Sequence, residues 1–222
     1  MAEKTEDDIL FQEIDEELRQ DRAHQLWHAY GKYAIAAAII VIGTAAGYQG
    51  WRNYDLSSRR ADGERFNAAM ELAGSEKTDA AFKAFSGLAD DGTTGYQLLA
   101  RFSQARLLTQ NGKTQDAVIA YRVLADDVSI DSLYRNLAVI LGAYGELNIS
   151  GADFSALQDR LQPLTASTSP WRFSAQEITG LLLKRSGDKT KAREMFSTLA
   201  NDKNTPQGVR TRAQEMLSIL GK

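Results

Sequence analysis

Hydrophobic and polar positions along this chain follow two different rules. Residues 33–51 (YAIAAAIIVIGTAAGYQGW) hold no charge and show no polar face, with Thr44 and Gln49 as the main polar interruptions. As a helix, this stretch at about 1.5 Å per residue reaches roughly 28 Å, close to the ~30 Å hydrocarbon thickness of a bilayer. Aromatic residues flank it, with Trp27, Tyr30 and Tyr33 on one side and Tyr48, Trp51 and Tyr54 on the other. Aromatic rings collect in this way at membrane–water interfaces. A buried core helix of this length would carry more polar residues. A cleaved secretory signal would follow a short positive leader, whereas the segment before this run is acidic. The run therefore predicts an uncleaved transmembrane helix.

Downstream of residue 51 the pattern turns helical and repeats. Ala81, Phe85 and Leu88, followed by Asp90-Asp91, recur 36 residues later as Ala117, Tyr121 and Leu124, followed by Asp126-Asp127. They recur 75 residues after that as Ala192, Phe196 and Leu199, followed by Asn201-Asp202. Spacings of four and three put the small residue, the aromatic and the leucine on one helical face. The longer gap is about twice the shorter, so a degenerate copy is expected around Leu157, Leu161 and Leu164. Each copy has a partner helix upstream. Thr94 is expected to cap a helix over 95–110 that Asn111-Gly112 ends, and Thr78 and Thr114 start the helices that follow. Ser169-Pro170 is expected to open a helix running through Gly180 to Gly187, with the proline in its first turn, and Asp188 to cap the third copy. A closing helix with a polar outer side is expected from Thr205-Pro206 to Leu220. Two helices per ~34–37 residues with this pattern look like tetratricopeptide repeats, which bury their faces by stacking. The predicted fold is all-α: an acidic leader (1–32), a single transmembrane helix (33–51), and a tetratricopeptide-like α-solenoid of stacked helix pairs (52–222).

Charge adds less. Residues 1–32 carry nine acids and four Lys/Arg, a net of −5, and the remainder carries 20 acids and 22 bases, a net of +2. Neither part is basic enough to point to nucleic acid. Three Lys/Arg precede the apolar run within fifteen residues and four follow it, so the positive-inside rule does not orient the chain. There is no cysteine, which removes disulfides, thiolate nucleophiles and thiolate metal sites. Gly43 and Gly47 form a GxxxG spacing of the kind that lets two helices approach closely, leaving a homo-oligomer open; an Ala-rich span also produces such spacings by composition.

Candidate chemistry is sparse. His24 and His28, with Glu17 and Asp21 upstream at helical spacing, could present two imidazoles and two carboxylates to a metal. An interfacial helix with solvated polar residues accounts for them better. No Ser-His-Asp, paired-acid or phosphate-loop pattern occurs, and the region after residue 51 has no histidine. Asp90-Asp91 and Asp126-Asp127 recur at helix ends and read as turn residues. The expectation is a non-enzyme without cofactor or metal. Binding is left, and in stacked pairs the first helix of each repeat lines the concave face. By spacing, Phe66 and Met70, then Leu99, Phe102 and Arg106, then Glu177, Leu181, Lys184 and Arg185 are expected to face it. The apolar ones would serve equally well as packing between repeats. A face mixing apolar and cationic groups suits extended or partly unfolded polypeptide, with charge acting mainly on encounter rate.

The chain resembles the ancillary SecYEG translocon subunit family, membrane-anchored tetratricopeptide proteins of Gram-negative bacteria. The resemblance rests on Gly50-Trp51-Arg52-x-Tyr54, on Tyr96 through Ala105 ahead of Ala117, and on Trp171-x8-Gly180-x6-Gly187-Asp188-Lys189-x2-Ala192-Arg193. It implies an inner-membrane protein with a cytoplasmic N-terminus and a periplasmic repeat domain. It further implies association with the SecYEG translocon and with periplasmic chaperones or exported polypeptides. A scaffold for another envelope machine, such as cytochrome maturation or division, would share the architecture.

Overall fold

The computed structural model describes residues 6–221, and describes side chains for 25–33 and 35–221. Among the described residues there are nine α-helices, one short 3-10 turn and no strand. The chain divides between Ser58 and Arg59 into two units. The first is helical throughout its described part and belongs to α1 (Glu6–Gly74). Its apolar stretch buries almost nothing: Ile39, Ile40, Val41 and Ile42 are all exposed, as are the six flanking aromatics. A helix this long and apolar is able to cross a membrane. Its hydroxyl is satisfied within the helix, Thr44 Oγ1 donating to the carbonyls of Ile40 (2.8 Å) and Val41 (3.0 Å). A Cβ built on Gly43 or Gly47 meets nothing. The His24–His28 metal reading falls on Glu17, Asp21 and His24, which lie outside the residues whose side chains are described.

The second unit is built from helix pairs. The end of α1 pairs with α2 (Thr78–Asp91), α3 (Thr94–Gln110) with α4 (Thr114–Asp126), α5 (Ser132–Glu146) with the short α6 (Phe154–Leu161), and α7 (Arg172–Arg185) with α8 (Lys189–Asn201); α9 (Gln207–Leu220) closes the row. Neighbours in sequence pack on one another, while α5 also touches α7, and α7 touches α9. First helices of the later repeats thus stack on one another. Four apolar clusters fill the spaces between successive helices.

The repeat motif explains those clusters. Ala81, Phe85 and Leu88 are buried against the end of α1 and α3; Ala117, Tyr121 and Leu124 against α3 and α5; Ala192, Phe196 and Leu199 against α7 and α9. Leu157, Leu161 and Leu164, at the degenerate copy, are buried with Ile140 and Ile178. There the second helix is only eight residues long and runs into the 3-10 turn Gln162–Thr165. A further regularity comes from the first helices. Sixteen residues before each motif aromatic sits a small residue, Ala69, Ala105 or Gly180, and all three are buried. Gly180 shows the reason: a Cβ there would stand 2.8 Å from Phe196 Cζ.

Thr78 and Thr114 start α2 and α4 as expected, with Lys77 and Lys113 at the N-caps making no side-chain cap bond. Thr93, not Thr94, occupies the N-cap of α3, and its side chain makes no cap bond. The buried Asp62 substitutes at α3, accepting from the Thr93 backbone N–H at 2.6 Å. That bond holds the Asp62 carboxyl below its usual range. Ser169-Pro170 lies ahead of α7, which begins at Arg172 with Trp171 at its cap. Asp188 does cap α8, accepting from Lys191 N at 3.1 Å. Gly112 and Gly187 follow their helices with φ of 73° and 89°, a conformation that favours glycine.

Candidate interaction surface

The residues expected to meet partners lie on the first helices of the repeats. The structure sorts them into three groups. Leu99, Arg106 and Arg185 are exposed, Leu99 by 49%. Met70, Leu181 and Lys184 are half-buried. Phe66, Phe102 and Glu177 are committed to packing. The Phe66 ring lies 5.6 Å from Phe85 and 6.1 Å from Tyr96, and the Phe102 ring 6.3 Å from Tyr121. Arg106 Nη2 approaches Met70 Sδ at 3.5 Å, joining the first helices of the first two repeats.

Glu177 needs a physical account, because it is 3% exposed. A buried carboxylate is tolerated only when its lone pairs are used. Arg212 on α9 donates Nε to Oε1 at 2.6 Å and Nη2 to Oε2 at 2.7 Å, and Tyr144 Oη on α5 donates to Oε2 at 3.1 Å. One carboxylate therefore ties together three successive first helices. The hydrogen bond to Glu177 raises the Arg212 guanidinium further above its usual range. Burial, with the Glu177 charge beside it, pushes the Tyr144 phenol up to about 12. Around this triad opens a groove of about 460 Å³, lined by Tyr144, Glu177, Leu181, Arg212, Glu215 and Met216.

A second opening of about 350 Å³ lies where α6 is short, beside Val118, Ile149 and Ala156. Glu146, also buried, closes it by accepting from Arg160 Nη1 at 2.9 Å and from Arg122 Nη2 at 3.3 Å. Both glutamates thus do structural duty, and for Glu177 spacing alone did not separate that from a binding role.

The terminal aspartates of the repeats do more than turn the chain. Asp91 accepts from Arg65 at 2.6 Å and Asp127 from Arg101 at 2.9 Å, with Arg172 and Asp202 3.7 Å apart in the last full repeat. Each pair joins the first helix of a repeat to the end of its second. Negative charge at a helix C-terminus opposes the macrodipole, and the arginine offsets it. Arg65 and Arg101 lie 36 residues apart, as do Asp91 and Asp127, so this signal was present in the sequence. Hydrogen bonds from Ser129, then from Arg101, hold the Asp127 carboxyl down to about 2, against an ordinary value of 3.8. The folded value lies below the unfolded one, so the contribution is complete above about pH 4 and disappears as the pH falls toward 2. Asp127→Asn should flatten the acid limb of a thermal-midpoint titration over that window. An unchanged limb would mean that the Asp127 contacts do not persist in solution.

The model of the tetratricopeptide repeat-like domain matches residues 24–219. The chain belongs to that family. No curated protein and no solved structure matches it. The family match spans both the apolar stretch and the helix pairs. A tetratricopeptide-like domain is a protein-interaction scaffold: stacked pairs bury their own faces and leave one extended surface for other chains.

Proposed function

We propose that this chain is a non-enzymatic adaptor of a bacterial inner membrane, held there by residues 33–51, with its repeat unit in the periplasm. Its partners are the SecYEG translocon and the periplasmic chaperones or exported polypeptides that meet there. The observation that carries this reading is the chain itself: only residues 52–58 separate the uncharged run from the repeat unit. So short a separation in sequence tethers the repeat unit to the membrane and raises its effective concentration toward chains emerging there. The motifs around Trp51, Tyr96 and Trp171 favour the translocon among envelope machines. The second reading, a scaffold for cytochrome maturation or division, rests on the same architecture.

One experiment separates them. A photo-crosslinking residue is placed at Leu99 or Arg185, both exposed on first helices, in intact cells, and the adducts are identified by mass spectrometry. Adducts to translocon subunits or periplasmic folding factors are expected. Adducts confined to another envelope complex would move the function there, and adducts only to cytoplasmic proteins would reverse the orientation.

A further inference from the structure

Resting on the scaffold reading, the groove between α5, α7 and α9 deepens it by naming what it takes. Its floor is apolar, formed by Leu181 and Met216, and its wall is the Tyr144–Glu177–Arg212 triad. Arg212 meets Glu177 side-on, through Nε and Nη2. The opposite edge of the guanidinium, Nη1 with the second N–H of Nη2, has no partner among the described residues, and the side chain is 52% exposed. Free N–H donors beside an apolar floor call for acceptors that the ligand does not use internally. A helix spends its backbone carbonyls on itself, whereas an extended segment offers them.

Charge narrows the ligand further. The lining holds two carboxylates, Glu177 and Glu215, against one guanidinium, a formal charge of −1. Glu177 is neutralised by Arg212. Glu215 is exposed and makes no ion pair among the described residues. It stands one residue from Met216, so an apolar side chain seated on the floor has a free carboxylate beside it. A C-terminal carboxylate or an acidic side chain would enter against that charge.

We infer that this groove binds an internal, extended polypeptide segment that pairs an apolar side chain with a neighbouring lysine or arginine. The apolar side chain rests on Leu181 and Met216, a backbone carbonyl accepts from Arg212, and the cation meets Glu215. Glu177 and Tyr144 position the arginine and do not touch the ligand.

The test uses the full chain in nanodiscs of phosphatidylcholine, which carry no net charge to attract a basic peptide. A short labelled peptide alternating leucine and lysine, amidated at its C-terminus, is titrated by fluorescence anisotropy against the same peptide with glutamate for lysine. The lysine peptide should bind more tightly, and Glu215→Lys should weaken it by about fivefold, the scale of a solvent-facing ion pair. The same substitution should strengthen the glutamate peptide. Equal binding of the two peptides, or affinities that ignore Glu215→Lys, would overturn the assignment. If neither peptide binds while Leu99 still gives adducts in cells, the groove assignment falls and the scaffold reading stands. If the adducts are lost as well, both fall.

Discussion

Phe196→Ala should be the most damaging single substitution in the closing repeat, at about 3–5 kcal/mol. Phe196 has no exposed surface and is packed with Ala192, Leu199, Val209 and Ala213. The cost is high because the ring fills a site that cannot collapse: Gly180 lies directly under it, and the helices on either side are tied elsewhere. The reverse change tests the same fit. Gly180→Ala would gain about 1 kcal/mol of helix propensity, but its Cβ would meet three ring atoms of Phe196 at 2.8, 3.1 and 3.1 Å. Overpacking of that kind costs about 1–3 kcal/mol, so a net loss is expected. Phe196→Leu introduced with it should restore part of the loss, since the leucine vacates the space the Cβ needs. Urea unfolding of the full chain in nanodiscs, followed by far-ultraviolet circular dichroism, measures all three. A double variant no better than Gly180→Ala alone would show that the contact is not what limits the packing.

Arg212→Leu should follow, costing about 2–4 kcal/mol. The substitution leaves Glu177 buried with Tyr144 as its remaining donor. The value sits toward the lower end because Arg212 is half exposed and water screens part of the pair. Glu177→Gln should cost less, since the freed guanidinium can turn into solvent while the amide still accepts from Tyr144. The order of the two is the informative result. Equal losses would mean that the pair acts through packing rather than through the charge it neutralises.

The two effects bear on function in different ways. The Phe196–Gly180 contact sets the distance between α7 and α8 and so belongs to the scaffold. The Glu177 triad sets the spacing of α5, α7 and α9 and so shapes the open face, where a shift of the arginine changes what the groove offers.

Much of this architecture was legible before any coordinates. An uncharged run of bilayer length has one stable solution, a helix satisfying its own backbone, and Thr44 conforms by bonding within it. The motif of Ala81, Phe85 and Leu88 and its copies reported both the helix pairs and their buried faces, because period and burial are consequences of the same spacing. Even the degenerate copy at Leu157 was visible from the doubled gap. Capping was less legible. Thr94 resembles the cap of α3, but Thr93 holds that position and Asp62, from another helix, reached the α3 terminus instead.

The open face was the part that spacing could not decide. Helical period places Phe66, Phe102 and Glu177 on the same side as Leu99 and Arg106, but it does not say how close the next helix comes. The third dimension assigned Phe66 and Phe102 to ring contacts between helices. It gave Glu177 an arginine 35 residues away, and left Leu99, Arg106 and Glu215 open. The sequence by itself determined a helix long and apolar enough to cross a membrane, stacked pairs and their cores, since burial of apolar area follows local periodicity. Only the tertiary structure decided which polar groups are spent in holding the stack and which are free to bind, since that depends on partners distant in the chain.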